Sequence, residues 1–221
     1  GGGASALVAV AEALRAAGAG ERLGVEVAGS TMLGIVIGGV TLTGSLVAFG
    51  KLQELLPSAP VVFPYQRLLY SLLLVGLLIN TLYGTLIAAD LSVVLLLSLL
   101  SCTAGVLLVL PIGAADMPVV IALLNAFSGL AASAAGFVVA NDLLIIAGAL
   151  VGASGVILTQ IMCQAMNRSM GNVLFGAFGS RHSAAGKAAV PDKVIHAIEI
   201  EEAAMVLAYA HSVIIVPGYG M

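Results

Sequence analysis

The chain has 221 residues, of which 61% are hydrophobic and only 9% carry a charge. Soluble domains carry about a quarter charged residues, so this composition excludes a water-soluble globular protein and points to an integral membrane protein. A net charge of −3 excludes the strongly basic surface that a nucleic-acid partner would require.

The chain opens on Gly1-Gly2-Gly3, with neither an initiator Met nor the charged start of a signal peptide, and reads as an internal piece of a longer protein. Residues 1–18 form an apolar stretch broken by Glu12 and Arg15, the outer end of a helix whose start is missing. Uncharged stretches follow at 27–50, 68–89, 91–115, 117–141 and 143–167, each 22–25 residues long. At 1.5 Å per residue each makes a helix of about 33–38 Å, enough to cross a hydrocarbon core of about 30 Å. None shows the alternation of a membrane barrel. The predicted fold class is therefore all-α, a polytopic transmembrane helix bundle of about six helices with the first truncated. Cys102 and Cys163 fall inside apolar runs and read as buried thiols.

Orientation follows from Lys and Arg near the span ends. Lys51 and Arg67 flank one loop, and Arg168, Arg181, Lys187 and Lys193 follow the last span. An even number of crossings separates the two places, so they share the cytoplasmic (or mitochondrial matrix) side. The turns at Asp90 and at Asn141-Asp142 fall on the opposite side and carry no basic residue. Arg15 and Arg22 depart from the rule, but Glu12, Glu21 and Glu26 accompany them.

Three spans carry small or polar residues along one face: Gly34, Gly38, Thr41 and Ser45; Asn125, Gly129, Ala132 and Gly136; Gly148, Gly152, Gly155 and Thr159. Small residues let helices approach closely in lipid, so packing accounts for the glycines. Asn125 differs. It lies about 13.5 Å inside the Asp116 end of its helix, while Ser45 and Thr41 lie about 9 and 15 Å inside the Lys51 end of theirs. An unpaired amide in hydrocarbon costs several kcal/mol. Asn125 is therefore either interhelical glue or part of a polar pocket on an ion or proton path. Asp116 is either an N-terminal cap before Met117-Pro118 or the mouth of that path. Asn80 is a weaker candidate of the same kind.

His182, His196 and His211 fall outside the spans and have no metal-ligand company, so no metal site is expected. No arrangement for nucleophilic hydrolysis is present. Residues 168–192 are rich in Gly, Ser and Ala and read as a linker. From 193 onward a polar turn leads to an amphipathic helix at 200–210, a strand at 212–216 and the turn Pro217-Gly218-Tyr219-Gly220. A strand followed by Gly-x-Gly is how a nucleotide-binding βαβ unit begins. The predicted organisation is thus a transmembrane domain over 1–167, a linker over 168–192 and, over 193–221, the first helix and strand of a Rossmann-like domain.

Four stretches carry a resemblance to a known family: "GSLVAFGKLQ" (44–53), "GAADMPVVIALLNAFSGLAASAAGF" (113–137), "NDLLIIAGALVGASGVILTQIMCQAMNRSM" (141–170) and "HSVIIVPGYGM" (211–221). In order and spacing they resemble the β subunit of proton-translocating nicotinamide nucleotide transhydrogenase. The resemblance implies an oxidoreductase and translocase in which hydride passes from NADH to NADP⁺ while a proton enters through the membrane domain. It implies NADP(H) in the following domain and NAD(H) on a partner domain of the α subunit. It further implies a lipid bilayer, a homodimer of the whole enzyme, and a bacterial cytoplasmic (inner) membrane or, in a eukaryote, the mitochondrial inner membrane. By position, Ser45 and Asn125 match residues of the proton path, with Thr41 on the same stripe. Asp116 matches the acidic residue at the helix entrance, and Asn167, Arg168 and Ser169 match the junction to the NADP(H) domain. Pro217, Gly218, Tyr219 and Gly220 match the first phosphate-approaching turn. The family's membrane histidine would lie upstream of Gly1, and most of the cofactor-binding residues would follow Met221, so this piece alone is not expected to catalyse hydride transfer. Two other readings of the residues are a secondary transporter with a nucleotide-binding regulatory domain and a structural anchor. The first expects an internal repeat with paired helix breaks, which the sequence lacks; the second has no use for a buried Asn125.

Overall fold

The computed structural model describes residues 1–19, 24–87, 90–167, 169–173 and 200–214. In order the helices are α1 (Gly2–Ala19), α2 (Val25–Leu52), α3 (Gln66–Leu86), α4 (Leu91–Val109), α5 (Met117–Val138, preceded by the 3-10 turn Ala114–Asp116), α6 (Asp142–Ala165) and α7 (Ile200–Ala208). Five of them, α2 to α6, are long and apolar enough to cross a membrane. The shortest, α4, has 19 residues, which is about 28 Å of helix. The chain is a multi-pass membrane protein with an all-helical fold.

The helix ends follow from local chemistry. Pro57, Pro60 and Pro64 occupy the α2–α3 loop, and Pro111 follows α4, where a ring without an N–H cannot continue the ladder. Asn141 caps α6, its side-chain oxygen accepting from Leu144 N at 3.0 Å. Just before it, Ala140 stands at φ 51°. Asn141 N donates to Gly136 O at 2.9 Å and Ala140 N to Phe137 O at 3.4 Å, the bond pair of a Schellman ending for α5.

The core has two parts. One gathers Ala9, Ala13, Met32, Ile35, Leu73, Leu77, Val94, Leu97 and Ala104 from α1 to α4. The other gathers Val47, Ala48, Val109, Ile112, Met117, Val120, Leu124, Cys163 and Val173 near the Lys51 end. Helix α2 contributes to both and packs against α1, α3, α4 and α5. Away from these cores the side chains are apolar and exposed, among them Leu68, Leu72 and Ile79 of α3 and Leu143, Leu150 and Ile157 of α6. Such faces cost free energy in water and none in hydrocarbon.

Glycines bring the backbones of α5 and α6 together. A Cβ placed on Gly148 would sit 2.7 Å from Gly129 O and 2.8 Å from Ser133 Cα, and one on Gly155 would sit 2.8 Å from Ala126 Cα. The second and third stripes are thus the two sides of one interface whose backbones touch.

The membrane unit and the segment from His182 are separate compact units. Of the latter, α7 is a nine-residue helix. The strand predicted at 212–216 is not formed over its described part, Ser212–Ile214. A strand is held by a neighbouring strand's hydrogen bonds, and no strand is found among the described residues.

Candidate functional site

The first polar stripe is the place where three helices converge. A Cβ on Gly34 would lie 3.2 Å from Ala9 Cβ, one on Gly38 would lie 2.7 Å from Ala6 Cβ, and one on Gly2 would lie 2.7 Å from Thr41 Cβ. Helix α1 therefore runs antiparallel to α2, seated on Gly34, Gly38 and Thr41. On its other side a Cβ on Gly1 would lie 3.3 Å from Ser128 Cβ of α5. Helices α2 and α5 are themselves antiparallel neighbours, since Gly34 approaches Ala134 and Gly44 approaches Leu124. Thus α1 fills the groove between α2 and α5.

The predicted polar residues are distributed along that groove unequally. Thr41 is 2% exposed, and its hydroxyl donates to Ile37 O at 2.5 Å, within its own helix. Ser45 lies one turn beyond Thr41 on the same face and is exposed. Asn125 lies three residues before Ser128 on α5 and is exposed as well. The Gly44–Leu124 contact puts these two walls at one depth. Helix α1 reaches Thr41 and Ser128, and Ser45 and Asn125 continue the groove one turn past it. Ser128, which sequence reasoning did not single out, joins the polar line, and its signal was its spacing three residues from Asn125.

Asp116 occupies the N-cap position of α5, but its carboxylate makes no side-chain capping bond. Its backbone N–H donates to Gly113 O at 3.0 Å and closes the 3-10 turn. Asn80 is half-buried on the α3 face that carries Leu73 and Leu77, and its Oδ1 is buried without a hydrogen-bond partner.

At the far end of α6, Asn167 takes the left-handed conformation, φ 52°, that ends a helix. Ser169 then starts a new helical turn, its Oγ accepting from Asn172 N at 3.1 Å. The turn at 170–173 packs against the bundle, and Val173 is 3% exposed inside the core that holds Ile112 and Met117. Arg168 lies outside the described residues, as do Pro217, Gly218, Tyr219 and Gly220.

Sequence reasoning placed Lys51 among the flanking charges of a loop. The structure buries it to 1% exposure, with Nζ donating to Leu110 O at 2.5 Å and to Ile112 O at 2.7 Å. Its burial depends on carbonyls from a helix end some sixty residues later, which no local pattern reveals. Arg15 pairs with Glu12 at 2.6 Å on exposed α1 surface, which accounts for a positive charge at an end where none was expected.

The family model described as NAD(P) transhydrogenase beta subunit matches residues 1–221. Two relatives from Rhodospirillum rubrum, one of them from strain ATCC 11170, both named NAD(P) transhydrogenase subunit beta, are each 46% identical over 190 residues. The match covers 86% of this chain and 41% of each relative, so the chain spans about two fifths of the length of these curated relatives.

Proposed function

The chain belongs to the NAD(P) transhydrogenase beta subunit family, and from that premise we propose that it is the proton-conducting membrane part of such an enzyme. In the whole protein, hydride passes from NADH to NADP⁺, and inward movement of a proton through the membrane part drives a conformational change in the attached nucleotide domain. The cofactors carry the redox chemistry when bound; this chain supplies the path and the connection.

The observation that carries the reading is the shared groove of α2 and α5. Antiparallel packing of α2 on α5 supports the reading that Thr41 and Ser45 of one wall and Ser128 and Asn125 of the other share a polar line, and a buried amide needs such company. An amide can donate and accept hydrogen bonds at once, so it orders water without itself carrying charge. That suits a relay from which the proton must leave, whereas an isolated carboxylate at this depth is costly to ionise. Asp116 is placed at the cytoplasmic mouth. The rest of the whole protein supplies the remaining wall beside Ser45 and Asn125.

We further propose residues 1–167 as the membrane domain, 168–192 as the linker and 193–221 as the start of a cytoplasmic NADP(H)-binding domain, whose Pro217-Gly218-Tyr219-Gly220 turn approaches the pyrophosphate. Asn167, Arg168 and Ser169 form the junction. The partners are the α subunit bearing NAD(H) and a second copy of the whole enzyme. The membrane is the bacterial cytoplasmic membrane, or the mitochondrial inner membrane in a eukaryote.

The test uses the full-length protein with its α subunit in sealed vesicles. NADH added with NADP⁺ on the nucleotide-domain side should produce NADPH together with proton movement toward that side, abolished by a protonophore. NADPH formation with no proton movement refutes the reading.

A further inference from the structure

Lys51 has a role in this architecture beyond marking the cytoplasmic side. It ends α2, and its ammonium meets two carbonyls, Leu110 O at the C-cap of α4 and Ile112 O in the turn beyond. Helix ends concentrate negative partial charge on carbonyls that have no partner in their own helix. The C-terminal end of α4 and the turn beyond it therefore meet a buried cation carried by the last turn of α2. The same corner is framed from the α2–α3 loop, where Ala114 N donates to Ser58 O at 2.9 Å and Val61 N to Leu110 O at 3.4 Å. From this corner the chain enters Ala114–Asp116 and then α5, the helix that bears Asn125. Against it packs the first turn past the junction: Val173 is buried with Val109, Ile112 and Met117, and Met170 lies at the edge of that cluster.

We propose that Lys51 is a positioning residue: it clasps the α4–α5 corner so that the corner offers a fixed seat to residues 170–173, which join the membrane helices to the chain leading onward. This seat links a displacement of α5 to the segment beyond the junction. The proposal rests on the proton-conducting reading for its consequence, but the clasp itself is testable without it.

A lysine that merely fills space would be replaced without loss by Met, since exchanging a buried ion for an apolar side chain of similar length is often neutral. Met keeps the volume and removes both donors. In the full-length protein in membranes, Val173→Cys should react slowly with a water-soluble maleimide in the presence of Lys51, and about tenfold faster when Lys51→Met is added. Lys51→Arg, which retains a cation and its donors, should stay close to the parent rate. An unchanged rate in Lys51→Met overturns the clasp. In the functioning enzyme, Lys51→Met should lower proton-coupled hydride transfer about tenfold, while hydride exchange between bound nucleotides that needs no proton passage falls less. Equal loss of both overturns the linking role. If Lys51→Met does not fold, Val173→Ala removes the seat from the other side and must give the same separation of coupled and uncoupled rates, or the proposal is wrong. Should the parent enzyme transfer hydride without moving protons, the functional reading fails, and the labelling result still decides the clasp.

Discussion

At the scale of single residues, four side chains among the described residues stand at positive φ, those of Glu54, Tyr65, Ala140 and Asn167. Ala140 closes α5 at φ 51°, a conformation that costs an L-residue with a Cβ about 1–2 kcal/mol and glycine nothing. The position faces solvent or headgroups, so no packing is lost on removing the methyl. Ala140→Gly should therefore raise stability by roughly 1 kcal/mol, read as a higher midpoint of thermal aggregation in detergent. A lower midpoint would show that the Schellman ending is not formed. Asn167, at φ 52°, is the residue type that tolerates this region best after glycine, which explains an asparagine where α6 must stop. Polar residues at mid-depth were legible one at a time from their spacing. Their enclosure was not, because whether Asn125 is covered depends on which helix lies beside it.

At the scale of elements, the spans were legible because charges punctuate them. Glu26, Lys51, Arg67, Asp90, Asp116 and Asp142 bracket apolar runs of membrane length, and α2 to α6 each begin within two residues of one of those charges, whereas α4 ends at Val109, ahead of Pro111 and well short of Asp116. Neighbour relations were not legible. A glycine stripe states that something approaches closely and leaves the partner unnamed; the structure pairs Gly129, Gly136, Gly148 and Gly155 across α5–α6, and Gly34 and Gly38 against α1. This distinction sets a contrast. Gly148→Val would drive side-chain atoms into Gly129 O and the Ser133 backbone and should destabilise by about 1–3 kcal/mol or more. Gly18, in the last turn of α1, has nothing within 4 Å of a Cβ, so Gly18→Ala should stabilise by about 0.5–1 kcal/mol. Retention of folded protein after heating in detergent ranks the two; equal behaviour would mean the α5–α6 contact is looser than described.

At the scale of the whole molecule, one end of the bundle gathers the contacts that join its helices to the chain after α6. Lys51, the α4–α5 corner, Asp116 and the turn at 170–173 meet there through the contacts of Lys51 and Val173. This agrees with the side assigned from the basic residues, because the α2–α3 loop and the chain after α6 lie at the same end. Labelling of single cysteines in sealed vesicles should therefore find positions 141 and 187 on opposite sides; finding them together would overturn the five-span topology. The central claim, that the α2–α5 groove carries protons, is tested most directly by Asn125→Leu in the whole enzyme reconstituted in vesicles. Leu keeps similar volume and removes both hydrogen-bonding functions. The account predicts that proton-coupled NADPH formation falls at least about tenfold, as loss of roughly 1–2 kcal/mol of coupling implies, while proton-independent exchange between bound nucleotides and the yield of folded protein stay near the parent. Coupled turnover at the parent level in that variant would contradict it, leaving Asn125 a packing contact and the proton path elsewhere.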